Sequence, residues 1–527
     1  MADMATGRLC YARFDFAGSV PEPSPLPMKR GDVLDLDLTA FADRGKSLGR
    51  AADGRVVFVA GAVPGDRARV QVLATKKRHA EARLEALLEP SPLRVAPRCA
   101  YFGTCGGCKW QQVDYPAQLE MKRQGVEDAL VRTGGLDVPE VRPTLGSPRV
   151  FLYRNKMEFS FADERWKTWE EIRAEKEAAS EATTEQLDPS GDRQPATSPR
   201  FPKDFALGLH APGSFAKVLD LHECHLQSEL SEALVNRIRG LALERGWTAY
   251  GQRSHEGMLR HLIVRHGEHT GETLVNLVTN GRCDDVVEDV AAMLQSEFPE
   301  VTTFVRTVHT GLGPTSLDAE VETVFGLGVL HDRIGELTFE IAPNAFFQTN
   351  TLGAEVLYDV ARRFADLRPD DLLYDLYCGA GTISLFCAPH VRHVVGVELV
   401  PEAIENATAN AARNGIANTT FVTGDMLTVF TAAFVAEHGH PDVLLLDPPR
   451  AGVHPKVMAE IARLAPERIV YVSCNPQTQA RDLAVLRDAS GDSYRIDAVQ
   501  PVDMFPHTSH VECVVRLSRR AVGTSDA

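Results

Sequence analysis

A cysteine and an acidic residue in the last tenth of the sequence carry the chemistry that residue type and position suggest most directly. The stretch IVYVSCNP is typical of a buried strand followed at once by Cys474. A later stretch, DMFPHTSHVECVVRL, contains Glu512 in a second strand-like run, with His507 and His510 before it. A thiolate can serve as a nucleophile, and a buried carboxylate can serve as a base. We predict that Cys474 is a nucleophile rather than a packing residue, and we prefer Glu512 to the two histidines as the proton acceptor.

A glycine turn earlier in the sequence predicts a ligand site. In YDLYCGAGT, Gly379 and Gly381 lie between a strand and a helix, where glycine lets the backbone approach a ligand closely. Glu398 ends the next strand, 17 residues after Gly381. An acid at about 20 residues beyond such a turn can hydrogen-bond ribose hydroxyls. Asp425 and Asp447 end the two following strand-like runs.

The ligand indicated by this pattern is a nucleoside without phosphates. The turn has too few glycines for a dinucleotide fingerprint, and no P-loop lysine follows it. These features point to S-adenosylmethionine. We expect Asp425 to reach the adenine edge and Asp447 to lie beside the methyl donor.

The motifs DPPR and SCNP discriminate among methyl acceptors. Enzymes that methylate an exocyclic amine usually carry an aromatic residue after the two prolines, whereas Arg450 follows them here. Addition of a thiolate to carbon 6 of uracil creates an enolate whose carbon 5 can take a methyl group, and a base then removes the carbon 5 proton. Cytosine methylation is a weaker alternative, because DPPR lacks the second cysteine typical of those enzymes. A non-catalytic RNA-binding protein is the third interpretation.

Residues 29–517 resemble the RNA 5-methyluridine methyltransferases, which use S-adenosylmethionine to methylate carbon 5 of uracil. The resemblance is carried by FFQTN, DLYCGAGT, GVELVPEAIENATANAARNG, LLLDPPRAG, YVSCNP and MFPHTSHVE. It implies that Cys474 is the nucleophile and Glu512 the proton acceptor. It also implies a set of cofactor contacts, which comprises Gln348, Tyr377, Thr382, Glu398, Asp425 and Asp447.

We expect a cytoplasmic protein, in which the ten cysteines of this chain are poor candidates for disulfides. Cys99, Cys105 and Cys108 form a C-x5-C-x2-C cluster, and Cys224 in LDLHECHLQ could supply a fourth ligand. Four thiolates can hold either zinc or an iron–sulfur cluster, and their spacing does not choose between them. The resemblance implies a 4Fe–4S cluster with Cys224 as the distant ligand, in a branch that mostly modifies 23S ribosomal RNA. The remaining cysteines are expected to be structural: Cys10, Cys283, Cys378, Cys387 and Cys513.

The elements that must position these residues indicate a multidomain protein. Residues 1–28 read as a disordered lead, and short alternating strands over 29–90 predict a small β-barrel. Residues 91–344 predict an α+β central domain that carries the cysteine cluster and a flexible acidic insertion at 164–204. Strands and helices alternate over 345–519, as in a doubly wound α/β, Rossmann-like class I methyltransferase domain. By resemblance, the barrel is a TRAM domain that holds RNA.

The charge of the chain bears on its partner. The net charge of −16 argues against a generic nucleic-acid binder. Residues 29–98, however, contain 14 Lys and Arg against 9 Asp and Glu, and the basic stretch KKRHAEAR could contact phosphates. We expect an RNA partner, ribosomal or alternatively the T-loop of transfer RNA. We also expect a cytoplasmic monomer that does not associate with membranes.

Overall fold

The computed structural model describes residues 28–520, except for 43–44, 168–170, 175–176, 178–204 and 314–318. Residues 1–27 of the predicted lead at 1–28 and most of the predicted insertion at 164–204 lie outside these residues, whereas Met28 is described and is buried in a core cluster with residues of the barrel. The chain forms two compact units, one within residues 28–92 and one that begins at Leu93. No helix in the described ranges is long and apolar enough to cross a membrane.

The first unit is a closed barrel with the strand order β1-β2-β3-β5-β4. Apolar and polar residues alternate along its strands, so that Ala68, Val70 and Val72 are buried while Arg67 and Arg69 are exposed. This confirms the predicted small barrel. The strands are β1 (Val33–Ala42), β2 (Lys46–Arg50), β3 (Val56–Ala60), β4 (Arg67–Thr75) and β5 (His79–Glu89).

The second unit begins with a helical segment and a mixed sheet. The helix α1 (Tyr115–Glu127) continues as a π-helical turn, Asp128–Thr133. The sheet has the order β12-β11-β10-β9-β6-β7-β8, and α2 and α3 share an apolar core with one of its faces. The elements are β6 (Lys156–Ala162), β7 (Ala206–His210), β8 (Val218–Asp220), α2 (Glu229–Arg245), β9 (Leu259–His266), β10 (Thr273–Thr279), α3 (Asp284–Glu297), β11 (Val301–Val308) and β12 (Glu320–Phe325).

A hairpin leads into a doubly wound α/β sheet with the order β17-β16-β15-β18-β19-β21-β20. All neighbours in this sheet are parallel except for the two pairs that β21 makes with β19 and β20. The elements are β13 (Leu330–Ile334), β14 (Leu337–Ile341), α4 (Thr351–Ala365), β15 (Leu372–Leu376), α5 (Thr382–Cys387), a 3-10 turn (Ala388–His390), β16 (His393–Glu398), α6 (Pro401–Arg413), β17 (Thr419–Thr423), α7 (Met426–Val429), α8 (Ala432–His438), β18 (Val443–Leu446), α9 (Pro455–Leu464), β19 (Arg468–Ser473), α10 (Pro476–Ala489), β20 (Tyr494–Val502) and β21 (Glu512–Arg519).

The central strands of this sheet are apolar throughout because helices cover both of its faces. Leu372, Tyr374 and Leu376 of β15 belong to one core cluster, while Leu373 belongs to the cluster on the other face. The strand order reverses at β15, which has β16 on one side and β18 on the other. A crevice at the carboxyl ends of β15 and β18 is therefore the expected place for a ligand.

Candidate active site

Cys474 and Glu512 lie beside each other because of the register between β19 and β21. Ser473 pairs with Cys513 in that antiparallel ladder. The residue after Ser473 is Cys474 and the residue before Cys513 is Glu512, so these two residues lie opposite each other. Asp447 follows the neighbouring strand β18 at the same edge. Its backbone N–H donates to the carbonyl of Leu376, at the end of β15, over 3.3 Å. The structure thus gathers a thiol and two carboxyl groups at one edge of the sheet.

The Cys474 thiol is partly buried. Burial raises its pKa, and the negative charges of Glu512 and Asp447 raise it further. Arg450 acts in the opposite direction, because its guanidinium donates a hydrogen bond to the sulfur and lowers the pKa. Arg450 is therefore the group at this edge that favours the thiolate. Sequence analysis noticed Arg450 only as a departure from amine methyltransferases and assigned it no role.

Glu512 is only 5% exposed, and burial raises the pKa of its carboxyl group to about 8. Asp447 raises this pKa further by charge repulsion, and Arg450 lowers it. Burial raises the pKa of Asp447 as well, to about 7. A carboxyl group that titrates near neutral pH is well matched to accepting and returning a proton. The two acids also make this edge favourable for a positively charged ligand.

The glycine turn has one closed position and one open position. Gly381 has φ +75°, and a Cβ there would lie 2.9 Å from the Cβ of Ala407 and the Cζ of Phe421. Gly379 has φ +54°, and a Cβ there would meet no atom within 4 Å. The backbone N–H of Gly379 donates to Oε2 of Glu398 over 3.2 Å. The turn is therefore packed on its helix side and open where a ligand would approach.

Two buried residues next to the turn were missed by sequence analysis. Asp375, inside β15, accepts a hydrogen bond from the Ser384 hydroxyl through Oδ2, while its buried Oδ1 has no partner among the described residues. Burial raises the pKa of Asp375 to about 7. Tyr358 of α4 lies 3.0 Å from the Thr382 hydroxyl. The only signal in the sequence was a charged residue inside an otherwise apolar strand, LLYDL.

The other predicted cofactor contacts are more dispersed. Asp425 is exposed and caps α7, accepting from the Leu427 N–H over 2.9 Å. Tyr377 has φ +65° and lies close enough to Asp425 and Glu398 for their charges to raise its pKa, which burial raises most. Gln348 precedes α4, and its carbonyl accepts from the Asn155 side chain. These contacts remain predictions.

A buried polar network holds the segment 503–510, which leads into β21. Lys122 of α1 pairs with Asp503 over 2.5 Å, and both side chains are fully buried. The Lys122 ammonium also donates to the carbonyl of Phe505 over 3.1 Å, and the Tyr115 hydroxyl donates to Asp503 over 3.0 Å. Because Glu512 follows this segment directly, α1 fixes the approach of the acid to Cys474.

Of the two histidines weighed as bases, neither has the surroundings of Glu512. His507 is buried and stacks on Phe151 with 4.3 Å between ring centroids. Burial lowers its pKa to about 4, so it is neutral at physiological pH. Its carbonyl accepts from the backbone N–H of Lys109 and of Trp110. His510 is exposed, and its Nδ1 lies 3.3 Å from a guanidinium nitrogen of Arg450.

The predicted metal ligands Cys99, Cys105, Cys108 and Cys224 line one cavity of about 310 Å³. The Gly107 N–H donates to the sulfur of Cys105 over 3.4 Å, and the Gln111 amide donates to that of Cys108 over 3.2 Å. Burial, aided by repulsion among the thiols, raises the pKa of Cys108 to about 12 and that of Cys224 to about 11. In the described ranges, however, no three His, Cys, Asp or Glu side chains are grouped to hold a metal ion.

The cysteines expected to be structural have no comparable cluster. Cys378, Cys387 and Cys513 are buried, and Cys283 is partly buried. Cys378 lies in the glycine turn, with its sulfur 3.0 Å from the position a Cβ would take at Gly396. Cys10 lies outside the described residues.

Comparison with known proteins assigns the family. An RNA methyltransferase of Chlorobaculum tepidum is 39% identical over 94% of this chain and 99% of its own length. One of Porphyromonas gingivalis is 43% identical over 92% of this chain and 99% of its own. A family model described as tRNA (uracil-5-)-methyltransferase matches residues 270–520. The chain belongs to this family.

The family assignment agrees with the domain content. A TRAM domain model matches residues 27–84, which confirms the predicted nature of the barrel. The crystal structure of the tRNA (uracil-54, C5)-methyltransferase of Pyrococcus abyssi, in complex with S-adenosyl-L-homocysteine, is similar with a TM-score of 0.67 and 26% identity. This likeness covers 92% of this chain and 100% of that one. The protein is an RNA methyltransferase with the predicted Rossmann-like catalytic fold.

Proposed function

We propose that this uracil-5-methyltransferase transfers a methyl group from S-adenosylmethionine to carbon 5 of a uridine in RNA, through a covalent bond to Cys474. The observation that carries the proposal is the adjacency of Cys474 and Glu512 across the β19–β21 ladder, beside Arg450 and Asp447. This adjacency supports a nucleophile and a proton acceptor at one crevice, next to the glycine turn.

The chemistry follows from these side chains. The Cys474 thiolate, stabilised by Arg450, adds to carbon 6 of the uracil and turns carbon 5 into a nucleophilic enolate carbon. S-adenosylmethionine supplies the electrophilic methyl group to carbon 5. Glu512 in its ionised form then takes the carbon 5 proton, the carbon 5–carbon 6 double bond reforms, and the sulfur leaves as the thiolate. The base must leave its stack to reach Cys474, as for other enzymes that react with nucleobases.

The residues at the crevice suit S-adenosylmethionine. Gly379 leaves open space at the turn. The negative charge of Asp447 raises the pKa of Glu512, and a nearby cation such as a sulfonium would relieve this repulsion. Burial of the sulfonium beside them would also lower their pKa values. The proposed contacts with the cofactor are Gln348, Tyr377, Thr382, Glu398, Asp425 and Asp447.

We further propose a 4Fe–4S cluster on Cys99, Cys105, Cys108 and Cys224. The support for this proposal is that the four thiols line one cavity of about 310 Å³. N–H groups that donate to two of the sulfurs stabilise thiolates and tune such clusters. The proposed role is structural or in RNA binding, since methylation moves no electrons through a metal.

The proposed substrate is 23S ribosomal RNA. Its support is the four-cysteine set, which resembles that of the branch acting on this RNA. The alternative is the T-loop of transfer RNA, favoured by the likeness to the Pyrococcus abyssi enzyme over 92% of the chain. We also propose that the protein acts in the cytoplasm, where either RNA is found, and as a monomer. We also propose functional domains at 29–90, 91–344 and 345–519.

The test uses the purified full chain with its cluster intact, labelled S-adenosylmethionine, and undermodified ribosomal and transfer RNA. Mass spectrometry of digested RNA should find 5-methyluridine in one RNA class and none with Cys474→Ala. Cys283→Ala, which removes a thiol from another domain, is the matched control and should retain activity. Methyl transfer by Cys474→Ala at the wild-type rate would refute the covalent mechanism.

A second variant isolates the proton acceptor. Glu512→Gln retains Cys474 but cannot take the carbon 5 proton, so a methylated protein–RNA adduct should accumulate and survive on a denaturing gel. Glu460→Gln, at an exposed acid of α9, should form no lasting adduct. Normal turnover by Glu512→Gln would remove Glu512 from the mechanism.

A further inference from the structure

A second concave surface lies at the end of the catalytic sheet opposite to Cys474. It is a groove of about 570 Å³ formed by β20, β21, α4 and the segment after α1. Four arginines line it, together with one carboxylate, Asp497. We call it the arginine groove and define it by Arg142, Arg363, Arg495 and Arg516.

The arginine groove has excess positive charge. Asp497 is shared by two guanidiniums, those of Arg495 at 2.7 Å and of Arg516 at 3.7 Å. Arg516 also pairs with Asp366 over 3.3 Å, yet its buried Nε has no hydrogen-bond acceptor in the described part of the chain. Asp366 and Asp497 together offset the charges of Arg495 and Arg516, so the positive excess of the groove must come from its other two arginines.

The two remaining arginines supply this excess. Arg363 pairs with Asp359 over 2.9 Å, but its side chain is 59% exposed. The guanidinium of Arg142 lies 5.1 Å from the centroid of the Phe364 ring, and within the described ranges it forms no ion pair. A guanidinium held over an aromatic ring keeps its charge and its planar set of donors ready for a phosphate.

We infer that the arginine groove binds backbone phosphates of the substrate RNA outside the target nucleotide. The inference rests on the RNA substrate of the proposed function. Arginine forks match phosphate oxygens bidentately, and a local cationic site is notable in a chain with a net charge of −16. No residue of the groove belongs to the catalytic crevice.

The distance to the catalytic edge fits a flanking segment of RNA. Arg516 and Ser518 follow Glu512 by four and six residues on the same strand, which corresponds to about 13–20 Å at about 3.3 Å per residue. Every nucleotide of an RNA strand carries a phosphate. Nucleotides that flank the target base and run along the surface of the protein therefore supply phosphates over this distance from the catalytic edge.

The experiment measures RNA affinity as a function of salt concentration. Each phosphate contact contributes about 0.7–0.9 to the slope of log affinity against log salt. The double variant Arg142→Gln/Arg495→Gln should bind the same RNA more weakly, with the slope reduced by about 1–2, while its affinity for S-adenosylmethionine stays the same. Arg142→Lys/Arg495→Lys preserves the charge and should retain most of the slope.

The controls separate the groove from the catalytic function. Arg463→Gln, at an exposed arginine of α9 paired with Glu460, should leave the slope unchanged, and thermal unfolding verifies that each variant is folded. Methylation of the RNA by the wild-type chain reports on the proposed function independently. A wild-type slope in the Gln double variant would overturn the inference. The inference would also be overturned if the Gln double variant no longer bound inorganic phosphate but its salt slope for RNA were unchanged.

Discussion

The raised pKa of Glu512 predicts that this residue lowers the stability of the ligand-free protein at alkaline pH. The carboxyl group has a pKa of about 8 in the folded protein, against an ordinary value of 4.5. Between these two values the folded protein retains a proton that the unfolded chain has released. The free energy of unfolding therefore falls by about 1.4 kcal/mol per pH unit from this group alone. Its contribution is fully favourable below pH 4.5 and is lost once the pH exceeds 8.

Over the whole window the loss amounts to about 5 kcal/mol. Glu512→Gln removes the titrating group, so the variant should be more stable than the wild type above pH 8, with a difference that shrinks toward zero near pH 4.5. Urea unfolding of the full chain, followed at pH 5, 7 and 9, measures this difference. Glu460→Gln, at an exposed acid, is the control and should show no such trend. A stability difference that is the same at all three pH values would refute the assignment of a raised pKa to Glu512.

Three further predictions follow from other contacts. Arg450→Gln should shift the pH profile of Cys474 alkylation to higher pH, because the variant lacks the cation that favours the thiolate. Site-resolved mass spectrometry measures this profile, and an unshifted profile would contradict the prediction. Gly381→Ala should destabilise the protein in thermal unfolding by about 1–3 kcal/mol. Gly379→Ala strains a positive φ in the same way but meets no atom, so it should cost less; equal costs would be inconsistent with the packing at Gly381. Lys122→Met should lower the free energy of unfolding by about 3–5 kcal/mol, because it leaves a buried carboxylate without its ion-pair partner. Adding Asp503→Leu should restore much of this stability, and a double variant no more stable than Lys122→Met would contradict the prediction.

The sequence was most informative where the chemistry depends on a single strand and the turn after it. The apolar runs before Cys474 and Asp447 and the glycine turn identified the carboxyl edge of the sheet, since parallel strands place such residues together. The nearness of Glu512 to Cys474 instead depends on β21 entering between β19 and β20 in the opposite direction. No local pattern encodes that order, and sequence analysis did not predict it; Glu512 was chosen for its residue type, and the resemblance to a family implied the same role.

The residues that sequence analysis missed share one property, which is that their roles depend on non-local burial. Asp375 differs from a solvated acid only because β15 is covered on both faces, and Arg450 matters because of the sulfur it contacts. His507 read as a candidate base from its type, but burial against Phe151 makes it a packing residue. Pairings such as Lys122 with Asp503 join residues far apart in the chain, beyond any periodicity.

The late insertion of β21 has a consequence for how the enzyme becomes active during its synthesis. Its two neighbours in the sheet, β19 and β20, leave the ribosome first, yet they cannot occupy their final positions until β21 fills the gap between them. Until then β19 is an unpaired edge strand that exposes its hydrogen-bonding groups. A nascent chain that already contains Cys474 still lacks Glu512, which begins β21. The proposed catalytic pair is therefore complete only when the last strand of the sheet has closed this gap.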